Sequence, residues 1–144
     1  MSREEHWRKL EHLYLTAPIN EYWQPRISVG DRICDIVIPI RQDFFHAAGA
    51  AHGVTYFKAL DDAAWFAANS IEEQFFLLTA SFHLTFIRPI SSGELHAHGT
   101  IVQATKSLIF AESVALDSEG REIGRGSGVF VPSRIAFDPE LGYR

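Results

Sequence analysis

The chain has 144 residues, of which 47% are hydrophobic and 22% charged, and its formal net charge is −5. This length and composition are typical of one globular domain, so we expect a single domain over residues 1–144. The acidic balance argues against nucleic acid and anionic membranes as partners, one cysteine excludes an intrachain disulfide, and the N-terminus lacks a signal peptide, so a cytoplasmic protein is expected.

Helical segments are predicted at the start and in the middle of the chain. Residues 3–15 have apolar side chains at helical spacing with charges between them, and this helix is expected to stop before Pro18. A short helical turn is predicted over residues 19–24. The run DRICDIVIPI at 31–40 is rich in β-branched residues and predicts a strand. Residues 53–69 then predict one long apolar helix.

The second half of the chain alternates between apolar and polar residues, which predicts strands. The predicted strands lie at 79–89, 94–104, 107–117 and 122–131. In the last of these, Gly124, Gly126 and Gly128 share one face and would let a helix approach closely. The order of elements predicts an α+β fold, in which the helix at 53–69 packs on an antiparallel sheet of five to six strands, with an N-terminal helix beside it.

The long helix contains two adjacent aspartates for which the pattern predicts different roles. Asp61 shares a stripe with Val54 and Phe57, and this stripe is predicted to be the core face of the helix. Asp62 lies on a different face, where Lys58 precedes it by four residues and can form an ion pair with it. A carboxylate on an apolar stripe is satisfied by a neighbouring hydroxyl, belongs to a functional site, or indicates that the helix is rotated by about 30° from this projection. The spacing alone leaves these possibilities open.

The segment HAAGAAHG at 46–53 has little side-chain bulk, so its backbone can lie close to a ligand. The helix begins near His52 and Gly53, where unpaired N–H groups can stabilise a developing oxyanion. A glycine at an ordinary helix start is the simpler explanation when this segment is taken alone. With Asp61 about two turns further on, the combination suggests acyl transfer at a thioester or an ester.

The segment HAAGAAHGVTYFKALDDAAWFAANS and the later run LTFIRPISSGELHAHGTIVQA resemble the hotdog-fold acyl-CoA thioesterases of the PaaI type. The likeness covers about residues 28–132. It implies a hotdog fold and hydrolysis of an acyl- or aryl-CoA, with no cofactor other than the coenzyme A of the substrate. It also implies a homodimer or homotetramer, because in this family the loop and the carboxylate of one active site come from different subunits.

The resemblance also implies roles for individual residues. Asp61 matches the catalytic acidic residue, which acts as a base or a nucleophile. Gly53 matches the glycine whose N–H polarises the thioester carbonyl, and His52 matches the histidine before it. His46 stands where many members have Asn, and Thr79 stands where some members have a hydroxyl that binds the reacting water.

Further residues are expected to contact the substrate. Val54 replaces a second glycine of the family pattern, which adds bulk that could narrow the acyl pocket, and His46 introduces a titratable group beside the reaction centre. The other expected contacts are Phe57, Ser81 and, through the phosphates of coenzyme A, Lys106.

Two other functions are alternatives to thioester hydrolysis. Hotdog dehydratases pair a loop histidine with a helix carboxylate, but there the acidic residue follows the glycine by about five positions instead of eight. A non-catalytic acyl-CoA-binding protein is the other alternative. His96 and His98 share a strand face, but such a pair more commonly lies on a solvent or interface face, so no metal site is expected. The tail at 133–144 is either flexible or lies over a neighbouring subunit.

Overall fold

The computed structural model describes all 144 residues. Its helices are α1 (Arg3–Thr16), α2 (Asn20–Trp23) and α3 (Gly53–Asn69). Its strands are β1 (Arg26–Gly30), β2 (Ile33–Pro39), β3 (Phe75–Phe86), β4 (Glu94–Ala104), β5 (Ile109–Leu116) and β6 (Glu122–Ala136). Two short 3-10 turns, at Gln42–Phe44 and Pro139–Leu141, complete the chain.

The six strands form one antiparallel sheet in the order β1-β2-β4-β5-β6-β3, which confirms the predicted α+β architecture. β3 follows α3 in the chain but lies at the edge of the sheet, so one side of its backbone has no partner strand within the chain. β1 was not predicted, because RISVG is short and polar. It is fixed by pairing with β2 and by α1, whose Glu11 accepts a hydrogen bond from the Val29 N–H at 2.8 Å.

Helix α3 approaches the sheet most closely at Gly99 of β4. A Cβ atom at this position would lie 2.2 Å from the carbonyl oxygen of Ala63, so the two backbones are in direct contact. Ser113 of β5 donates a hydrogen bond to the Leu60 carbonyl at 2.8 Å. The prediction for the glycines of β6 is correct only for Gly124, which lies against Tyr56 and Leu60 of α3.

The other two glycines of β6 make room for a side chain of the neighbouring strand. A Cβ atom on Gly126 or Gly128 would lie within 2.7 Å of the ring of Phe82. Phe82 belongs to β3 and covers the bare backbone of β6 on the face of the sheet that carries α3. The missing side chains therefore accommodate an aromatic ring, and the predicted approach of a helix at these two positions is wrong.

The predicted orientation of α3 is also wrong. The residues buried against the sheet include Tyr56, Ala59, Leu60 and Ala63, whereas Val54 and Phe57 are 49% and 43% exposed. The stripe of Val54, Phe57 and Asp61 runs along the flank of the helix beside β3, where the Phe57 and Phe82 rings lie 5.5 Å apart. Both stripes of α3 are rich in apolar residues, so helical periodicity could not identify which one faces the sheet.

Helix α1 packs across one end of the sheet and holds the C-terminal segment. His6 donates a hydrogen bond from Nε2 to the Asn69 carbonyl at 2.8 Å, and its Nδ1 lies 2.6 Å from the Tyr143 hydroxyl. Tyr143 is buried in the same core as Leu10. The end of the tail therefore lies on the first helix of its own chain. No helix has the length and apolar character needed to cross a membrane.

Candidate active site

Asp61 and Thr79 come together where the flank of α3 faces β3. The Thr79 hydroxyl donates a hydrogen bond to Asp61 Oδ1 at 3.0 Å. A β-bulge makes this contact possible, because Thr79 pairs with Phe130 while Ser81 pairs with Val129, which leaves Ala80 as an extra residue. The bulge turns both Thr79 and Phe82 towards α3, although regular alternation would put them on opposite faces.

The surroundings of Asp61 favour its protonated form. Burial, reinforced by the neighbouring charge of Asp62, raises the pKa of Asp61 to about 6, while the Thr79 hydroxyl and the Lys58 ammonium act in the opposite direction. A carboxylate with this pKa is largely ionised at neutral pH and is a stronger base than an ordinary aspartate. The site therefore provides a base suited to removing a proton from water.

Asp62 forms a separate cluster with Lys58 and Tyr14. The Lys58 ammonium forms the predicted ion pair with Asp62 Oδ2, and the Tyr14 hydroxyl donates a hydrogen bond to the same oxygen at 2.7 Å. The cluster is largely buried, although the sequence suggested an ordinary ion pair on a polar face. Burial raises the pKa of Asp62, and Lys58 and Tyr14 oppose that rise. Its partners leave Asp62 less free than Asp61 to accept a proton from a substrate.

A cavity of about 750 Å³ adjoins Asp61 and Thr79. Its walls come from α1 and the turn into α2, the flank of α3, the start of β3 and the C-terminal segment. Rings of Tyr14, Trp65, Phe66 and Phe76 line it, and they contact one another at centroid distances of 4.6 to 4.9 Å. The volume and the apolar lining are typical of pockets for small organic ligands.

The predicted oxyanion donor, the Gly53 N–H, lies at the N-terminal end of α3. His52 caps the helix, since its Nδ1 accepts a hydrogen bond from the Val54 N–H at 2.9 Å. The Thr55 N–H donates to the His52 carbonyl, whereas the Gly53 N–H donates no hydrogen bond within the chain. A free N–H at a helix N-terminus is suited to binding a negatively charged oxygen.

His46 and Gly53 line the same cleft, which has a volume of about 420 Å³. The tight turn between them is closed by hydrogen bonds from the His46 N–H to the Ala50 carbonyl and from the Ala48 N–H to His46 Nδ1, both at 3.0 Å. Gly49 adopts a φ of 85°, a conformation that glycine accommodates without strain. The cleft also contains Arg88, whose side chain has no ion-pair partner within the chain.

The five predicted catalytic residues therefore form two groups within one chain. Asp61 and Thr79 adjoin the larger cavity, whereas Gly53, His52 and His46 lie at the helix start, about 12 Å away along the axis of α3. This separation is too long for Gly53 and Asp61 of one chain to contact the same carbonyl group.

Four further residues were predicted to bind substrate. Val54 and Phe57 are exposed beside Gly53, on the flank of α3 that also holds Asp61. Ser81 precedes Phe82 and faces away from α3, near Phe110 and Val129, so it does not adjoin Asp61 of its own chain. Lys106 is exposed in the connection between β4 and β5.

His96 and His98 lie on the face of the sheet opposite to α3, and both contact Asp35 of the neighbouring strand. Asp35 Oδ1 lies 2.9 Å from His96 Nε2 and 2.8 Å from His98 Nδ1. These contacts lower the pKa of Asp35 against the opposing effect of its burial, which is the largest single influence. No group of three or more His, Cys, Asp or Glu residues has a geometry that could hold a metal ion.

Several residues of the site were missed from the sequence. Tyr14 reaches Asp62 from 48 positions away, and Arg88 joins the Gly53 cleft from beyond β3. The C-terminal wall of the cavity was missed because the tail has no periodic pattern. No local signal in the sequence pairs these segments, since each depends on how helices pack on the sheet.

The model of the thioesterase superfamily matches residues 48–123 of the sequence. No curated protein has a matching sequence. Among solved structures, the PaaI protein from the phenylacetic acid degradation operon of Escherichia coli is 14% identical, with a TM-score of 0.85 over 94% of this chain and 99% of that one.

Two further structures show the same fold. A thioesterase from Haemophilus influenzae is 14% identical, with a TM-score of 0.75 over 83% of this chain and 85% of that one. A putative esterase from Mycobacterium tuberculosis is 18% identical, with a TM-score of 0.76 over 81% of this chain and 97% of that one. At such low identity the likeness shows the hotdog fold alone, whereas the superfamily model matches more than half of the sequence. The chain therefore belongs to the thioesterase superfamily.

Proposed function

We propose that the protein hydrolyses the thioester bond of an acyl-CoA, with Asp61 as the general base or nucleophile. In the base-assisted form, Asp61 takes a proton from a water molecule as the water oxygen attacks the carbonyl carbon. The Gly53 N–H stabilises the resulting oxyanion, and the carbon–sulfur bond then breaks to release the acid and the coenzyme A thiol. Thr79 positions Asp61 or the reacting water through its hydroxyl.

The observation that carries this proposal is the position of Asp61. It is a partly buried carboxylate with a raised pKa, it has one hydroxyl partner, and it adjoins an apolar cavity large enough for an acyl group. The adjacent Asp62 is less able to act as a base, because it forms an ion pair with Lys58 and accepts a hydrogen bond from Tyr14. Membership of the thioesterase superfamily supports the same reaction class.

We further propose that each active site is shared between two copies of the chain. Gly53 and Asp61 lie too far apart to act on one carbonyl group within a chain, so Gly53 of one copy would face Asp61 of another. The apolar residues Val54, Phe57 and Phe86 are exposed beside the open edge of β3, and an exposed apolar surface next to an unpaired strand favours association. His46 and His52 would then border the same shared site.

The test is thiol release from a panel of acyl-CoAs by the wild type and two variants. Asp61→Asn is expected to lose at least about 100-fold in kcat because the base is removed. Asp62→Asn is the matched control and is expected to remain within about tenfold of the wild type. Circular dichroism of both variants checks that they are folded. Full activity in Asp61→Asn would contradict the proposal, and binding of acyl-CoA without turnover by the wild type would replace hydrolysis with a binding role.

A further inference from the structure

The C-terminal segment Phe137–Arg144 is held firmly against α1. The Tyr143 ring stacks on Phe137 at a centroid distance of 4.6 Å, and His12 donates a hydrogen bond from Nδ1 to the Gly142 carbonyl at 2.7 Å. Gly142 has a φ of 92°, and a Cβ atom there would lie 2.3 Å from Thr16 Oγ1. The segment can contact the helix because residue 142 has a left-handed backbone conformation and no side chain.

This contact makes the segment one wall of the cavity that adjoins Asp61. Leu141 lines the cavity and is 42% exposed, so a ligand in the cavity can contact its side chain. Trp65 and Phe66 line the cavity four and five residues beyond Asp61, which is about 6 to 7.5 Å along α3. An acyl group whose carbonyl carbon lies at Asp61 would therefore extend towards the aromatic rings and the C-terminal segment.

The parts of the chain that build this wall lie outside the segment that matches the superfamily model. That match covers residues 48–123, whereas α1, α2 and the C-terminal segment lie before or after it. The catalytic elements and the wall of the cavity are thus separate parts of the sequence. A change in the wall can alter the size of the pocket without moving Asp61 or Thr79.

We propose that the C-terminal segment limits the length of the acyl group that the site accepts, and that Leu141 is the residue that sets the limit. The ligand class is an apolar acyl group carried as a thioester. The inference rests on the proposed thioesterase activity, because that activity places the carbonyl group at Asp61. It goes beyond that activity in naming the residue that selects the substrate.

The experiment compares kcat/KM for butyryl-, octanoyl- and palmitoyl-CoA in the wild type and three variants. Leu141→Trp is expected to lower the ratio of octanoyl to butyryl by about tenfold or more, and Leu141→Ala to raise the ratio of palmitoyl to octanoyl by a similar factor. Leu15→Trp is the matched control, because Leu15 is 51% exposed on α1 and does not line the cavity. Both ratios should stay unchanged in this control.

A binding measurement separates failure of this inference from failure of the proposed function. Dissociation constants of the same three thioesters are measured by calorimetry, with Asp61→Asn and with the double variants that combine it with each Leu141 change. If the wild type shows no turnover but the binding ratios change as predicted, the hydrolase proposal fails and the role of Leu141 stands. Unchanged ratios in both kinetics and binding would overturn the inference.

Discussion

Asp61 and Asp62 are adjacent in the chain but differ in what surrounds them. Both line the cavity, but Asp62 is neutralised by Lys58 and held by Tyr14, whereas Asp61 has one neutral hydroxyl partner. The sequence correctly predicted the Lys58–Asp62 pair, because the spacing of four residues fixes it on any helix. It did not predict Tyr14, since that contact depends on where α1 packs.

The raised pKa of Asp61 predicts how activity depends on pH. The reaction requires ionised Asp61, so kcat/KM should rise with pH through a midpoint at about 6 and then level off at higher pH. Removing the Thr79 hydroxyl removes an effect that lowers this pKa, so Thr79→Val should move the midpoint to higher pH. A pH profile of thiol release from the wild type and Thr79→Val measures both effects.

The control for this profile is Thr85→Val, which makes the same change on the same strand. Thr85 lies on the face of the sheet opposite to Asp61, so this variant should retain the wild-type midpoint. A midpoint near 4 in the wild type would show that Asp61 is not the titrating base.

The role of Gly53 can be tested by removing its N–H without changing the helix. Gly53 is the first residue of α3, a position where proline is well tolerated, and His52 before it has the extended conformation that proline requires. Gly53→Pro should therefore lower kcat by about 100- to 1000-fold, as expected for the loss of an oxyanion donor. The measurement is thiol release from the best substrate of the panel.

Gly53→Ala is the matched control because it adds a Cβ atom but keeps the N–H. That atom would lie 2.9 Å from the exposed ring of Phe86, which has room to move. Gly53→Ala should lose much less activity than Gly53→Pro. Equal losses in the two variants would indicate steric disruption instead of a missing donor.

Among the secondary-structure elements, α3 and β3 decide the geometry of the site. The long helix and the antiparallel strands were predicted because their periodicities are strong. Two features of these elements were not predictable: the face that α3 turns to the sheet, and the bulge at Ala80 that brings Thr79 to Asp61. A bulge inserts one residue into a strand, and the residue types alone do not indicate where it lies.

Helix α3 touches the backbone of β4 at Gly99, so a side chain added at Gly99 would displace the helix. Gly99→Ala would place a Cβ atom 2.2 Å from the Ala63 carbonyl oxygen, so α3 must shift away from the sheet. The expected loss is about 1 to 3 kcal/mol or more in the free energy of unfolding. Denaturant unfolding at a fixed protein concentration measures it.

Gln103→Ala on the same strand serves as the stability control. Gln103 is exposed, so its replacement should change the free energy of unfolding by less than about 0.5 kcal/mol. A Gly99→Ala variant as stable as this control would show that the helix is packed less closely than the structure indicates.

At the scale of the whole molecule, we propose that the two halves of the site belong to different copies of the chain. This predicts that two inactive variants can restore activity when they are combined. A purified heterodimer of Asp61→Asn and Gly53→Pro would contain one site with both changes and one with neither. Its thiol-release activity should reach about half that of the wild type per dimer.

The heterodimer can be isolated by co-expressing the variants with two different affinity tags. Each homodimer of the variants provides the baseline, and a heterodimer of Asp61→Asn with wild type provides the expected value for one damaged site. Activity of the combined heterodimer that stays at the baseline would contradict the shared site.

The sequence by itself determined the fold class, the long helix with the loop before it, and the pairing of Lys58 with Asp62. These follow from local spacing and from a motif within one continuous segment. Tertiary structure decided that Val54 and Phe57 lie exposed on a flank, that Thr79 reaches Asp61 through a bulge, and that α1 and the tail enclose a cavity beside it. These features join segments distant in the chain, so they depend on packing, which no local pattern of residues records.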